Sequence, residues 1–117
     1  MSDRPCASVV IPCLNEAAHI EACLDSLAIQ NGVESGFEVL VVDGGSKDGT
    51  LEILKRRALA DSGLRVLDNP DRITPVAMNM GIKEALADVV IILGAHAEVA
   101  PDFVRRNLEV LRAHPES

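Results

Sequence analysis

Four short apolar runs, Ala7 to Pro12, Phe37 to Val42, Leu64 to Leu67 and Val89 to Leu93, alternate with stretches of helical periodicity, and that alternation restricts the fold. Each run is too short for a helix and meets proline, glycine or an acidic residue at one end or both, the pattern of a strand covered on both faces. Asn15-Glu16 opens a first helical stretch with Ile20, Cys23, Leu24 and Leu27 on one stripe. Leu51, Ile53, Leu54 and Ala58 mark a second, ending at Ser62-Gly63. Thr74 and Pro75 start a third carrying Val76, Met80, Ile82, Ala85 and Leu86, and Pro101 precedes a fourth with Phe103, Val104, Leu108 and Leu111. The order is βαβαβαβα. Helical crossovers between such strands give an α/β protein with a three-layer, mainly parallel sheet.

At 117 residues this is one domain, 1–117, large enough to bury roughly two thirds of the surface its unfolded chain exposes. Phe37 and Phe103 are the only aromatic residues, so the core is aliphatic and no aromatic platform exists for stacking single-stranded nucleic acid. A formal charge of −7 opposes a phosphate backbone or an anionic membrane surface, which excludes nucleic acid as an expected partner. Cys6, Cys13 and Cys23 are odd in number and lie in or beside apolar runs, so buried reduced thiols and a cytoplasmic setting are expected. No apolar stretch reaches the roughly 18 to 20 residues that span a bilayer.

In open α/β sheets ligands sit beyond the carboxyl ends of the strands. Asp43, followed by Gly44 and Gly45, stands at such an end; it is either a ligand contact or the former of its own turn. Asp48, before Gly49-Thr50, reads better as a helix-start acceptor. Asn15 and Glu16 either touch a ligand from the first turn or cap and complement the first helix. His96, in Leu93-Gly-Ala-His-Ala-Glu98, can meet a divalent ion on a diphosphate or be a loop histidine without duty. Arg72 and Lys47 are isolated cations on the same side, either phosphate contacts or solvated charges. Neither a Gly-x-Gly-x-x-Gly fingerprint nor a P-loop is present.

With these residues laid out, the chain resembles the amino-terminal half of the family 2 glycosyltransferases, inverting enzymes of the GT-A fold that use nucleotide-diphosphate sugars. Val9-Val-Ile-Pro-Cys-Leu-Asn-Glu16 is similar to the family's first strand and nucleoside-contacting turn, Val41-Val-Asp-Gly-Gly-Ser-Lys-Asp-Gly-Thr50 to its second strand and loop, and Asp68-Asn-Pro with Ala77-Met-Asn-Met-Gly81 to its third block. Within the family the likeness is greatest to the succinoglycan-type enzymes of bacterial exopolysaccharide assembly. The family's Asp-X-Asp falls on Gly94-Ala95-His96, so a glycine replaces the first carboxylate and His96 takes the place of the second, and Gly44 replaces the usual second acidic residue after Asp43.

The resemblance implies a Rossmann-like half of a GT-A fold, with Pro12, Leu14, Asn15, Glu16, Asp43, Gly44, Arg72, Gly94 and Ala95 around the nucleotide and His96 as ligand to Mn²⁺ or Mg²⁺. It implies a UDP-sugar as donor and a saccharide or lipid-linked acceptor in polysaccharide biosynthesis, in the cytoplasm or at the cytoplasmic face of a membrane. The family's acceptor site and general base lie in a second half with no counterpart in these residues. The 117-residue chain alone is therefore expected to be inactive and to self-associate through exposed apolar surface. The rival readings are a nucleotide-sugar binding module without turnover and an interaction domain with a vestigial crevice.

Overall fold

A computed structural model of the chain describes residues 4–33, 36–71 and 73–113. Its elements run β1 (Ala7–Cys13), α1 (Ile20–Ala28), β2 (Phe37–Asp43), α2 (Thr50–Ala60), β3 (Leu64–Asp68), α3 (Thr74–Glu84), β4 (Val90–Ile92) and α4 (Phe103–Ala113). The strands form one parallel sheet in the order β3-β2-β1-β4. The expected α/β architecture and strand sequence are therefore what the chain adopts.

Two cores sandwich the sheet. Alternate side chains of the strands, among them Val9, Ile11, Val39, Val41 and Ile91, pack with Ile20, Cys23, Leu24 and Leu27 of α1, Leu54 of α2 and Val104 and Leu108 of α4. On the opposite face Val10, Leu40 and Val42 meet α3 through Ala77, with Met80 alongside. Strand period two and helix period 3.6 thus sort the same aliphatic residues into two layers. On α3 the helix lies close, because Gly81 is buried and a Cβ there would stand 2.3 Å from Val10 Cγ1.

The carboxyl ends of the strands are level on one side and stepped on the other. Cys13 is opposite Asp43, and Asp43 opposite Asp68, so the loops after β1, β2 and β3 emerge together. β4 pairs only as far as Ile92 opposite Val10, whereas β1 runs on to Cys13. Val10 C=O accepts the Leu93 N–H at 2.9 Å; Pro12, two residues on, faces the same side, where no strand remains to miss its absent N–H. The step beside Pro12 is where the sheet opens into a cleft.

The boundaries differ from the sequence reading where loops use residues otherwise suited to helices. The first helix begins at Ile20 rather than at Asn15-Glu16, since Asn15 takes φ +53°, a left-handed conformation that a helix start does not admit. Ile73 rather than Thr74 occupies the cap of α3, with Pro75 in the first turn, and the helix stops at Glu84, leaving Leu86 outside. At the amino ends of the strands, buried Glu38 accepts hydrogen bonds from Ser8 Oγ at 2.6 Å and Leu86 N–H at 2.7 Å, and Arg65 lies 3.4 Å away. That network ties the segment between α3 and β4 to three strands.

Candidate functional site at the sheet switch point

From β1 the chain passes to β2 on one side, while β4 lies on the other, so the sheet order reverses between β1 and β4. Loops there diverge and leave a crevice. A cleft of about 370 Å³ occupies this position. The first turn contributes Pro12, Leu14 and Glu16 to its walls, the second Gly44, the β3–α3 connection Asn69, Ile73 and Thr74, and the segment after β4 Gly94, Ala95 and His96.

Most of the nucleotide-site residues proposed from sequence therefore meet around one cavity. Arg72 lies outside the described residues. Asn15 and Asp43 do not line the cleft. Asp43 is only 1% exposed; one carboxylate oxygen accepts the N–H groups of Gly45 at 3.0 Å and Ser46 at 2.9 Å, and the other accepts the Ser46 hydroxyl. Of the two readings of Asp43, the turn former is the one its contacts fulfil, because the glycine turn folds back over it and uses both oxygens. Asp48 does the same one step further, accepting the Thr50 N–H and hydroxyl and, from the first turn, the Ala17 N–H at 3.1 Å. Those hydrogen bonds, led by the Thr50 hydroxyl, hold its carboxyl below the usual range.

Asn15 is a stitch between loops rather than a helix cap. Its N–H donates to Ser46 Oγ and its Oδ1 accepts the Lys47 N–H, both at 2.8 Å, while the Glu16 N–H donates to Thr50 Oγ1 at 3.0 Å. Each hydroxyl is thus a relay, donating down to an aspartate and accepting from the first turn. Asp43 and Asp48 fix the second turn, and the second turn fixes the lip of the cleft.

His96 and Glu16 face each other across that lip. Nδ1 of His96 lies 3.3 Å from Glu16 Oε2, with the histidine side chain 72% exposed and the glutamate 23%. The ring leans over Gly94, where an added Cβ would meet His96 Cε1 at 3.3 Å. Cys13, in the cleft wall, has its thiol pushed up to about 12 by burial first and then by Asp43, Glu16 and Asp48; burial, Glu16 and Glu98 raise Cys23 to about 11. Both remain neutral thiols at ordinary pH, unsuited to nucleophilic attack.

The surroundings of the cleft are acidic, and its lining contains no Lys or Arg among the described residues. No three His, Cys, Asp or Glu side chains converge among them either. An imidazole with one adjacent carboxylate would suit only an open site, in which a divalent ion would depend on a bound diphosphate and water for most of its ligands.

Sequence reasoning did not single out Asn69 as a site residue. It is 1% exposed and braces its loop, donating from Nδ2 to Ile73 C=O at 3.0 Å and accepting the Asp71 N–H at 3.1 Å. Its own N–H reaches Asp43 C=O at 2.8 Å. The signal was the Asp-Asn-Pro turn followed by a helix start, which marks a loop but not which side chain is buried in it.

A parallel α/β sheet with a cleft at its switch point is the architecture of α/β domains that bind small molecules beyond the strand ends. Residues 8–117 match the family described as Glycosyl transferase family 2, and the chain belongs to that family. It is 42% identical over 103 residues to the succinoglycan biosynthesis protein ExoA of Rhizobium meliloti, covering 86% of this chain and 31% of that protein. A dolichyl N-acetyl-alpha-D-glucosaminyl phosphate diacetamido-dideoxy-glucuronosyltransferase of Methanococcus voltae is 36% identical, over 87% of this chain and 32% of its own length. Among solved structures, the mannosyltransferase PcManGT of Pyrobaculum calidifontis, in complex with GDP-Man and Mn²⁺, superposes with a TM-score of 0.82 at 31% identity, over 92% of this chain and 32% of that one. TarS of S. aureus in complex with UDP-GlcNAc gives 0.78 at 25% identity, over 92% and 31%. The chain thus spans about a third of the length of the relatives it matches. These neighbours are GT-A glycosyltransferases, and the fold is the Rossmann-like part of theirs.

Proposed function

We propose that this chain is the donor-binding part of an inverting glycosyltransferase of polysaccharide assembly. It takes a nucleotide-diphosphate sugar, a UDP-sugar in the first instance, for transfer to a saccharide or lipid-linked acceptor. The observation that carries the reading is a switch-point cleft walled by the first turn, Gly44, Gly94 and Ala95, with the His96 imidazole at its lip, where a divalent ion held by that imidazole would offset the charge of a diphosphate. The unpaired thiols of Cys6, Cys13 and Cys23 support a cytoplasmic setting.

In this reading the Pro12 to Glu16 turn flanks the nucleoside, Gly44, Gly94 and Ala95 admit close approach of backbone to ligand, and His96 holds Mn²⁺ or Mg²⁺. The ion, when bound, stabilises charge on the departing diphosphate. Asp43 contributes from below by fixing the second turn, and Asn15 by joining that turn to the first. Calorimetric titration with UDP, with and without Mn²⁺, tests the assignment. Binding on the order of 0.1–1 mM with Mn²⁺ is expected; His96→Ala removes the metal dependence, and Asp43→Ala weakens UDP with or without metal. Identical binding by all three proteins, or none by the wild type, overturns it. Gly94, where the family carries a carboxylate, also favours a second reading, a module that binds without transfer; binding of UDP-sugar without turnover in the longest natural polypeptide carrying these residues would select it.

A further inference from the structure

The contact between Glu16 and His96 joins residues 80 positions apart in the chain, one on the turn after β1 and one on the segment after β4. Its two members are unequally held. Glu16 is fixed by its N–H bond to Thr50 Oγ1 at 3.0 Å and by its carbonyl, which accepts the N–H groups of His19 and Ile20 at 2.9 and 2.8 Å. His96 is largely exposed and its ring meets Glu16 through Nδ1 alone. Those bonds hold the Glu16 main chain, and its side chain is 23% exposed against 72% for the ring, so the carboxylate orients the ring more than the reverse. It also selects the tautomer. A neutral imidazole in water carries its proton mainly on Nε2, which blocks ligation there, whereas a carboxylate on Nδ1 draws the proton to that atom and frees the Nε2 lone pair.

We propose that Glu16 is a positioning residue: it holds the His96 proton on Nδ1 and presents Nε2 to the divalent ion. The inference rests on the reading of His96 as a metal ligand. Placement is compatible with it: the ring lies over Gly94, the position that carries the first carboxylate in the resembled family motif, with Cε1, Nε2 and Nδ1 at 3.3, 3.7 and 3.8 Å from a Cβ added there, and Nδ1 is the nitrogen that Glu16 occupies. A histidine ligand with a carboxylate behind it is more basic and better oriented than a free one, and losing such a partner typically weakens metal affinity about 10–100-fold. An exposed ion pair without that duty contributes almost nothing.

Two measurements on the full chain test the proposal. The first is long-range ¹⁵N–¹H correlation of the imidazoles in the metal-free protein, at alkaline pH where the rings are neutral, with the His96 signals assigned by their loss in His96→Ala. Wild type is expected to show the Nδ1–H form, Glu16→Ala the Nε2–H form, and Glu16→Gln, which keeps an acceptor without its charge, a mixture. The second is Mn²⁺ titration followed by electron paramagnetic resonance in the presence of UDP, where Glu16→Ala should weaken Mn²⁺ about 10–100-fold and Glu16→Gln by less. An Nε2–H majority in wild type, an unchanged tautomer in Glu16→Ala, or unchanged Mn²⁺ affinity in Glu16→Ala overturns the positioning role. If instead His96→Ala binds Mn²⁺ as wild type does, the metal-ligand reading itself is overturned, whatever the tautomer.

Discussion

Replacing Gly81 by alanine sets helix propensity against packing, and the structure decides which prevails. In an unencumbered helix the change is favourable by about 1 kcal/mol. Here the new Cβ would stand 2.3 Å from Val10 Cγ1, 2.9 Å from Cγ2 and 3.1 Å from Cβ, against roughly 3.5–4 Å for carbon atoms in contact. Val10 cannot yield. It is fully buried in the middle of β1, between Leu40 of β2 and Ile92 of β4, and its β-branched side chain is restricted about χ1. The helix must lift by more than about 1 Å, an overpacking cost of roughly 1–3 kcal/mol that cancels or exceeds the propensity gain. Val10→Ala alone removes two buried methyl groups and costs about 2–3 kcal/mol. In the double variant the added methyl fills the space those groups vacate, so it should be more stable than Val10→Ala alone. Urea unfolding followed by far-ultraviolet circular dichroism measures all four proteins. A Gly81→Ala protein stabilised by the full propensity increment, or a double variant whose change is the sum of the singles, refutes the close approach of α3 to β1.

Glu38→Ala strips the acceptor from Ser8 Oγ and the Leu86 N–H and leaves Arg65 beside a void; it should cost about 3 kcal/mol in the same unfolding assay, and Glu38→Gln clearly less. Because burial raises the folded Cys13 and Cys23 thiols from 9.0 to about 12 and about 11, their contribution to stability is complete below pH 9 and is lost as pH climbs through the folded values. Unfolding free energy measured from neutral to alkaline pH should fall above pH 9, and less steeply in a Cys13→Ala, Cys23→Ala protein; an equal fall in both removes the thiols as the cause. Gly94→Asp returns a carboxylate to the cleft beside His96 and should tighten Mn²⁺-dependent UDP binding by roughly tenfold, about 1.4 kcal/mol, with calorimetry showing no gain if the metal is not held there.

The strands were legible because a parallel sheet buries both faces of each strand, and a run such as Val9-Val-Ile or Val39-Leu-Val-Val has no other stable use in a chain of this size. The helices were legible as elements but not in their limits. Asn15 and Glu16 have the chemistry of a helix start, and local propensity alone assigns them there. What displaces them is a tertiary demand: Ser46, Lys47 and Thr50, 31, 32 and 34 positions along the chain from their partners, claim their polar groups. No local pattern carries that information. The β4 end was equally obscure, since the run Val89 to Leu93 reads as a full strand, while pairing with β1 sustains only Val90 to Ile92.

The site shows the same division between position and contact. A strand end places Asp43, Gly44, Gly94 and His96 at the crevice level, and that follows from sequence pattern once the sheet is known to be parallel. Whether a carboxylate at that level looks into the cleft or away from it depends on what its own loop lacks. The turn after β2 is rich in glycine and serine, with two N–H groups and a hydroxyl near its first residue, and Asp43 is the acceptor within reach of all three. Buried donors without partners cost more than a solvent-facing carboxylate gains, so the turn claims the aspartate. Glu16, on a longer side chain and with its backbone satisfied by Thr50 and the first turn of its own loop, is left with its carboxylate free to reach across the lip to His96. Asp43 is thus spent on its own turn, while Glu16, which the sequence left open between ligand contact and helix complement, lines the cleft beside His96.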